Sequence, residues 1–568
     1  MVGGTDISAQ YQVLSITVAR VLNRIPSATL HLKDGEASQQ TFPASDTDLF
    51  VPGSEIEIHL GYRSQNDRVF KGIVISHGIK VRQNGSLLIV ECKDVAVKMT
   101  QGTKSAFFVD QKDSEIIEEI IDSYGLTSDV ESFDSEATSI VQYDSTDWDF
   151  MLCRAEAHGV FVSVIDGTVE VKKPNVSQDP AVNVAYGSTL LELDAEIDTR
   201  LQSEGITART WAQADQARSE TDAAEPSTPE AGNVSADDLA GIIGGGAHVL
   251  QLGGPIATPE LQAIADARLM KERLSRIRGR ATFQGFPSVV PGSVIELTSI
   301  GERFSGKHMV SGVRHSVSGG NWQTDVEFGI DPELFAKTFN VSALPASGLL
   351  PAVHGLQVGI VTAIEGDPDS EDRLQVRLPM VSDSEDGIWM RLATLDAGKN
   401  RGTFFRPEID DEVIVGFIND DPRHGVILGQ LHSSAHATPE PLTNDNHVKG
   451  YVSRSEMKLT FDDDKKIIHL ETPGGNTISL TEEDSGIVIE DENGNTFTMS
   501  PDGFIVESVK DISIKASGDV KIEGTNIEFS ASAGLKAAGS GQVELSGATT
   551  TVKGSGQTTI SGGLVQIN

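Results

Sequence analysis

Residues 512–568 read ISIKASGD, VKIEGTN, IEFSASAG, LKAAGSGQ, VELSGATT, TVKGSGQ, TTISGGL and VQIN, a repeat of seven or eight residues. Most units open with an apolar–polar–apolar triplet, which is the alternation of a β-strand, and continue with Gly and other small residues that turn the chain. A unit this short cannot bury its own apolar face, so copies of it must stack on one another. The stretch therefore predicts a narrow, stiff β-helix, which we call the needle (residues 512–568).

The alternation divides the needle side chains into an inward and an outward set. Lys521, Glu528, Lys536 and Glu544 are expected to point outward. A disordered Gly/Ser tail is the alternative interpretation, but such a tail would not keep apolar residues in register. The side chains expected in the needle core are Ile514, Val520, Ile522, Ile527, Phe529, Leu535, Val543, Leu545, Val565 and Ile567.

The composition excludes several classes of function. The 568 residues carry 45 Lys and Arg against 83 Asp and Glu, a formal net charge of −38. This balance argues against binding of nucleic acid and against docking on anionic lipid, because both need clustered basic residues. Cys92 and Cys153 are too few for a disulfide framework and are expected to be buried free thiols. No apolar run is long enough to span a membrane as a helix, and the N-terminus lacks a signal-peptide pattern, so we expect synthesis in the cytoplasm.

The first part of the chain predicts a two-lobed β-barrel hub with small helices. Residues 1–110 contain alternating apolar runs separated by turn residues, which indicates a first β-barrel lobe. Residues 111–345 form the second lobe and include helical spacing around 114–125 and 147–159. Asp166-Gly167 marks a type I′ hairpin between two strands. The polar, Ala/Ser/Pro/Gly-rich residues 212–258 are interpreted as a flexible insertion.

Three further segments precede the needle. Residues 353–432 contain five short strand patterns joined by hairpin loops, which predicts a small OB-fold barrel. Residues 433–451 are expected to be a linker. Residues 452–511 contain more widely spaced strands that lead directly into the needle, and we call them the neck, a predicted β-prism. The predicted fold class is therefore mainly β, ending in a trimeric β-helix, because a rung of about eight residues needs partner chains to close a three-sided prism.

This order of parts resembles the VgrG-type spike of contractile injection systems. YDSTDWDFMLCRAEAHGVFVSVIDGTVEVKKP (143–174) is similar to the late-control, tail protein D motif of phages, and GIVTAIEGDPDSEDRLQVRLP (359–379) is similar to the baseplate-assembly V barrel. Residues 457–495 and 508–531 resemble the neck and needle of spikes in phage-like extracellular injection particles. Phage spikes of this class often carry a lysozyme between barrel and needle, and some relatives carry a toxic effector after the needle. Neither is present in this sequence, so no enzyme activity is expected.

The resemblance implies the partners and the task of the protein. A homotrimer would dock its hub on a ring of tube protein and contact baseplate wedge proteins. Sheath contraction would drive the needle through a target membrane, to which it binds only transiently. A small PAAR-like tip protein is expected to cap the needle at Leu564, Val565, Gln566, Ile567 and Asn568. The expected location is a phage-tail-like particle, released outside the producing cell.

The candidate chemical sites each have a simpler structural explanation. Asp367, Asp369, Glu371 and Asp372 could suggest calcium, but their loop lacks the central Gly and closing Glu of an EF-hand. His432 and His436 have zinc-ligand spacing, but they lie in a Pro-bounded linker. We therefore expect no catalytic residue, no metal and no cofactor.

Two weaker motifs receive the same interpretation. GGGAH at 244–248 lacks the ending of a phosphate-binding loop, and Asp462, Asp463 and Asp464 fit a charged turn. The alternative functions are a β-helical tailspike or adhesin, or a glycan-active enzyme, and a hydrolase hidden in the hub. Rungs of seven or eight residues leave no loop from which to build a glycan-binding cleft.

Overall fold

The computed structural model describes residues 1–83, 85–133, 138–244, 246–482 and 486–567. Contacts divide the chain into two compact units, one of residues 1–406 with 415–428, and one of residues 407–414 with the chain from 429 onward. Most of the secondary structure is β-strand, and the helices of the described residues lie in the first unit, which confirms the predicted mainly β class.

The strands and helices of the hub follow in chain order. They are β1 (Val13–Val21), β2 (Ser27–Lys33), β3 (Glu55–Tyr62), β4 (Gln65–Arg82), β5 (Gly85–Lys93), β6 (Lys104–Gln111), α1 (Asp113–Ser123), β7 (Thr127–Val130), β8 (Thr138–Ser145), α2 (Asp147–Ala157), β9 (Phe161–Ile165), β10 (Thr168–Lys172), β11 (Val182–Ala185), β12 (Leu190–Ile197), β13 (Gly205–Ala212), β14 (Ala217–Asp222), α3 (Ala236–Ile243), β15 (Ala247–Gln251), α4 (Thr258–Leu274), β16 (Ile277–Gln284), β17 (Val294–Thr298), β18 (Gly306–Ser318), β19 (Asn321–Phe328) and α5 (Phe335–Thr338).

The largest sheet of the hub has eleven strands and runs through both predicted lobes. Its main path is β12-β16-β19-β18-β1-β2-β5-β4-β3, and β11 and β17 join it beside β18. The antiparallel pairing of β1 with β18, from Ser15↔Ser318 to Val21↔Gly312, joins the two halves of the sheet. This pairing was not predicted, because nothing local in β1 indicates a partner about 300 residues away. Each half still has its own apolar core, around Phe50 in the first and Phe328 in the second.

The helical part of the hub agrees with its sequence pattern. Ile116, Ile117, Ile120 and Ile121 of α1 are all buried, in one cluster with apolar residues of α2. Asp166 and Gly167 both have positive φ, at 53° and 86°, as a type I′ turn requires, and they join β9 to β10. The predicted helices and hairpin are therefore confirmed.

Residues 212–258 are not the irregular insertion that their composition suggested. They contribute β14, α3 and β15, and β14 and β15 flank β13 in a three-stranded sheet. Helix α4 packs on this sheet and buries Leu261, Ala265 and Leu269 against Ile206 and Ala208. Part of the segment thus forms ordered secondary structure, because a few small and branched apolar residues suffice for a sheet that one helix covers.

The second half of the chain begins with the predicted OB barrel. The sheet β20-β21-β22-β26-β25 closes into a five-stranded barrel, as expected. The neck strands begin at Val448, inside the predicted linker 433–451. The remaining strands are β20 (Gln357–Ala363), β21 (Leu374–Arg377), β22 (Ile388–Leu392), β23 (Ala397–Gly398), β24 (Arg401–Gly402), β25 (Glu412–Phe417), β26 (Gly425–Gln430), β27 (Val448–Val452), β28 (Lys458–Asp462), β29 (Ile467–Glu471), β30 (Thr477–Thr481), β31 (Gly486–Glu490), β32 (Thr496–Ser500) and β33 (Gly503–Glu507).

A buried ion cluster ties three hub helices together. Arg154 of α2 donates to both oxygens of Asp113 on α1, at 2.7 and 2.8 Å, and to Glu260 of α4 at 2.8 Å. His158 Nε2, just after α2, donates to Asp113 Oδ2 at 2.7 Å and stacks on Phe133. Burial alone would raise the pKa of Asp113, but hydrogen bonds from Arg154 and His158 outweigh it and lower that pKa from 3.8 to about 2.

Replacing Asp113 should destabilise the hub strongly. Asp113→Asn leaves the Arg154 and His158 side chains without their shared anion, and breaking a buried pair in this way costs about 3–5 kcal/mol of unfolding free energy. The carboxylate's contribution should be complete above pH 3.8 and should be lost as the pH falls towards 2, because the folded-state pKa is depressed. Denaturant unfolding measures both effects.

The matched control is Asp129→Asn, which removes an exposed ion pair with Lys172. It should cost less than about 1 kcal/mol, because solvent screens exposed pairs. Equal losses of stability in the two variants would contradict a structural role for the buried cluster.

Candidate interaction surface of the neck and needle

The neck sheet is a single antiparallel meander of short strands. Strands β27 to β33 pair in chain order, and each described neck strand is five residues long. Tight turns such as 463–466, with Lys466 at φ 54°, and 491–495, with Gly494 at φ 83°, reverse the chain between them. Because successive side chains of a strand point to opposite faces, this regular register assigns every second residue to one face of the sheet.

One face of the neck sheet is apolar from β28 to β33, whereas β27 places Lys449 beside Phe461 on this face. The first row across the strands is Leu459, Leu470, Ile478, Ile489, Phe497 and Val506, and the second is Phe461, Ile468, Leu480, Ile487, Met499 and Phe504. Ten of these twelve side chains belong to residues that are between 36% and 58% exposed in the single chain. The face therefore offers a continuous apolar surface, far larger than a soluble monomer usually leaves in water.

The opposite face of the neck sheet is mainly polar, with apolar exceptions such as Val488 and Ile505, and forms its own contacts. His469 and Ser479 share a hydrogen bond of 2.8 Å between Nδ1 and Oγ, and Lys458 pairs with Glu471 at 3.0 Å. Thr460 and Thr498 lie in the same row across the sheet as His469 and Ser479. This face can remain in water, so the two faces of the sheet differ in what they can contact.

The needle residues of the single chain are likewise left without strands and without a buried core. No strand is present among the described residues 508–567, although the alternation predicts one in most rungs. The ten predicted core residues range from 46% exposed at Val565 to 84% exposed at Ile567. One chain alone therefore brings none of the predicted needle core together.

The predicted tip-binding residues are also exposed. Leu564 is 82% exposed, and Val565, Gln566 and Ile567 lie beside it without burial. Asn568 lies outside the described residues. The structure leaves the apolar side chains of this end open to solvent.

The acidic loop of the barrel is neutralised by arginines. Arg373 donates to Asp367 at 2.5 Å and pairs with Asp369, and Arg406 pairs with Asp372 at 2.8 Å. Asp367 also accepts backbone hydrogen bonds from Glu371 and Arg373, and the contact with Arg373 lowers its pKa most. The carboxylates hold the loop in shape, which supports the interpretation of a solvated hairpin loop.

The other candidate chemical residues form local contacts. His432 Nδ1 lies 3.2 Å from the carbonyl oxygen of His436, and Asp463 pairs with Lys449. Gly245, in the middle of GGGAH, lies outside the described residues. Within the described part of the chain, no group of three His, Cys, Asp or Glu side chains is arranged to hold a metal ion. No helix there is long and apolar enough to cross a membrane.

The two thiols are unreactive in this fold. Cys92 is buried and Cys153 is partly buried, and neither forms a disulfide. Burial raises the pKa of Cys92 to about 12 and that of Cys153 to about 11. Neither is therefore a thiolate near neutral pH.

The neck strands were predicted from the sequence, but the apolar face that they form together was not. The signal was available, because KIIHLE at 466–471 and TISL at 477–480 alternate apolar and polar residues. Pairing of the strands turns these separate alternations into two continuous rows. Strand register, which depends on turn geometry, determines which residues of neighbouring strands lie in the same row.

Comparison with known proteins agrees with this architecture. The Alg8 N-terminal domain family matches residues 1–319, and the family described as type VI secretion system/phage-baseplate injector OB domain matches residues 357–432. The type VI secretion system spike protein VgrG1c of Pseudomonas aeruginosa is 31% identical over 113 residues, which are 19% of this chain and 16% of that protein. VgrG3 of Vibrio cholerae is 28% identical over 127 residues, 20% of this chain and 12% of that protein. The matched part thus spans less than a fifth of these relatives.

Solved structures with similar folds share little sequence. The 43 kDa tail protein of prophage MuSo2 from Shewanella oneidensis covers 56% of this chain and 94% of its own, with 13% identity and a TM-score of 0.42. The E. coli c3393 protein, a component of the type VI secretion system, covers 74% of this chain and 97% of its own, with 11% identity and a TM-score of 0.39.

A hub followed by an injector OB barrel defines a structural spike or baseplate component of a phage-tail-like or type VI injection system. The chain belongs to the Alg8 N-terminal domain family, which covers more than half of it, and it is VgrG-like. The resemblance inferred from its sequence is confirmed.

Proposed function

We propose that this protein is the homotrimeric central spike of its injection system, and that its needle punctures a target membrane when the sheath contracts. The single observation that supports this proposal is the apolar face of the neck sheet. A face made of two rows of large apolar side chains is stable only when another surface covers it. Full burial of one such side chain stabilises by about 1.5–3 kcal/mol, so a dozen of them supply a strong force for assembly.

Identical copies of the chain are the simplest cover for this face. Three neck sheets with their apolar faces turned towards a common axis form a three-sided prism, with the polar faces outside. The needle repeat favours three copies, because rungs of seven or eight residues supply about one short strand and one turn per side. In such a prism the backbone groups of each rung pair with neighbouring chains, which explains why a single chain shows no needle strands.

The trimer suits a mechanical task. A rod whose backbone hydrogen bonds are all internal crosses lipid without unfolding. At the other end, two sheet halves per chain give a trimeric hub six similar units, which fits docking on a hexameric ring of tube protein, with baseplate wedge proteins around it. We place the assembled protein in a phage-tail-like particle that is released from the producing cell.

The same considerations argue against an enzyme. Asp367, Asp369 and Asp372 are paired with arginines, and both thiols have raised pKa values. Catalytic activity, a cofactor and a metal are therefore not part of the proposed function.

The neck variant Ile478→Asp tests the proposal. The substitution places a carboxylate in each of three apolar faces, and burying unpaired charges costs several kcal/mol per ion. We expect the variant to sediment as a single chain of 60.6 kDa, whereas the unmodified protein sediments as a trimer. Sedimentation velocity of the full chain provides the measurement.

Ser479→Asp is the matched control, because Ser479 is the next residue of the same strand and lies on the polar face beside His469. It should remain trimeric. The proposal fails if both variants stay trimeric, or if both dissociate.

The inward face of the needle is tested in the same manner. Ile522→Asp should lower the stability of the trimer by several kcal/mol, because three carboxylates meet in a dry core. Lys521→Asp should change it by less than about 1 kcal/mol, as surface substitutions usually do. Thermal unfolding compares the two variants, and equal midpoints would show that the inward set is wrong.

The needle end should capture a small PAAR-like tip protein. Leu564 and Ile567 are exposed apolar residues of the needle, and neighbouring exposed apolar side chains form a surface that a partner can cover. Deleting residues 564–568 should abolish capture of the tip protein in a pull-down while the trimer persists. Unchanged binding of the tip protein by the truncated trimer would refute this assignment.

A further inference from the structure

A rigid hairpin projects apolar and basic residues from the OB barrel. We call residues 394–404 the barrel arm. Its strands β23 and β24 pair as Ala397↔Gly402 and Gly398↔Arg401, and the Thr403 backbone N–H donates to the Asp396 carbonyl at 2.9 Å. These contacts define the shape of the arm without any support from a partner.

The barrel arm combines exposed apolar side chains with basic side chains in an otherwise acidic part of the chain. Leu395 is 96% exposed and Phe404 is 79% exposed, and the Asp396–Thr403 pairing places them side by side at the base of the arm. Lys399 and Arg401 are exposed at the tip, and Arg401 also pairs with Asp396 of the arm at 2.7 Å, which leaves the arm with a net charge of about +1. Residues 351–445 contain only seven Lys and Arg against 17 Asp and Glu, so a basic tip stands out locally.

A second exposed segment of the barrel has the opposite charge. We call residues 379–386 the barrel loop. Met380 is 90% exposed and Val381 is 81% exposed, and the acidic side chains of Asp383 and Glu385 follow them. The Ser382 hydroxyl accepts from the backbone N–H groups of residues 384 and 385 at 3.3 and 3.1 Å, which holds the loop in a turn.

The barrel arm and the barrel loop do not cover each other within one chain, because the apolar side chains of both are almost fully exposed. Their chemistry is complementary, since the arm joins apolar residues to a net positive charge centred on Lys399 and the loop joins apolar residues to acids. Contact of two arms, or of two loops, would bring like charges together. A second copy of the chain therefore supplies the matching surface for each.

We infer that the barrel arm of one copy docks on the barrel loop of the next copy. This inference rests on the proposed trimer and adds a contact that is separate from the neck. It is a head-to-tail contact between two different surfaces, and such contacts close into a ring when the rotation permits. Three arm–loop contacts would then fix the orientation of the three barrels around the trimer axis.

Cross-linking between two marked chains tests the inference. One full-length chain carries Leu395→Cys with one affinity tag, and a co-expressed chain carries Met380→Cys with another. A short bismaleimide should join the two chains, at least about tenfold more than in the controls, because docked thiols have effective concentrations in the millimolar range. Background from Cys92 is low because its side chain is buried.

Two controls define the background. Each variant expressed alone reports arm–arm or loop–loop cross-links together with any background from Cys92 and the partly buried Cys153. A mixture of Leu395→Cys with Glu440→Cys carries one engineered thiol in the exposed linker. Cross-links confined to the arm–loop mixture support the inference. Trimers of unchanged mass with no arm–loop product, or with equal product in the controls, overturn it while leaving the proposed function intact. A mixture that contains only single chains would instead refute the proposed function itself.

Discussion

The neck is a single-layer sheet with an exposed apolar face, and the need to cover this face constrains the rest of the structure. An antiparallel sheet is stable when one face packs against other residues and the other face is solvated. In the single chain the apolar face of the neck sheet remains largely exposed to water. The needle has the same requirement, because its apolar residues are exposed and its described residues 508–567 form no strand in the single chain. In the proposed trimer, other chains would cover both the neck face and the needle.

The hub follows a different principle, because its cores are complete within one chain. Phe50 and Phe328 lie in separate apolar clusters of the shared sheet, and the Asp113–Arg154–His158 cluster holds the helices together from inside. The hub therefore buries its apolar cores within one chain, whereas the neck and needle leave apolar residues exposed. This division fits the proposed spike.

Features encoded in local patterns were predicted from the sequence, and features that depend on distant pairing were not. The spacing of Ile116, Ile117, Ile120 and Ile121, the Asp166-Gly167 turn and the five strands of the OB barrel are local signals, and each was found. The pairing of β1 with β18 and the contact of Arg154 with Glu260 join residues about 300 and 106 positions apart, so no local pattern indicates them.

The prediction of a flexible insertion at residues 212–258 rested on composition, and composition does not reveal alternation among small residues. The edge strand ARSETD has hardly any apolar residues, yet it pairs with a neighbour whose Ile206 and Ala208 are covered by α4. For the candidate site, the needle residues were named in advance but the neck rows were not, since strand register decides which side chains share a face.

Native mass spectrometry of the unmodified full-length chain tests the central claim most directly. The account predicts one dominant species with three times the 60.6 kDa chain mass. A stable, soluble single chain with the same neck and needle would contradict it, because the apolar face would then persist in water without a cover.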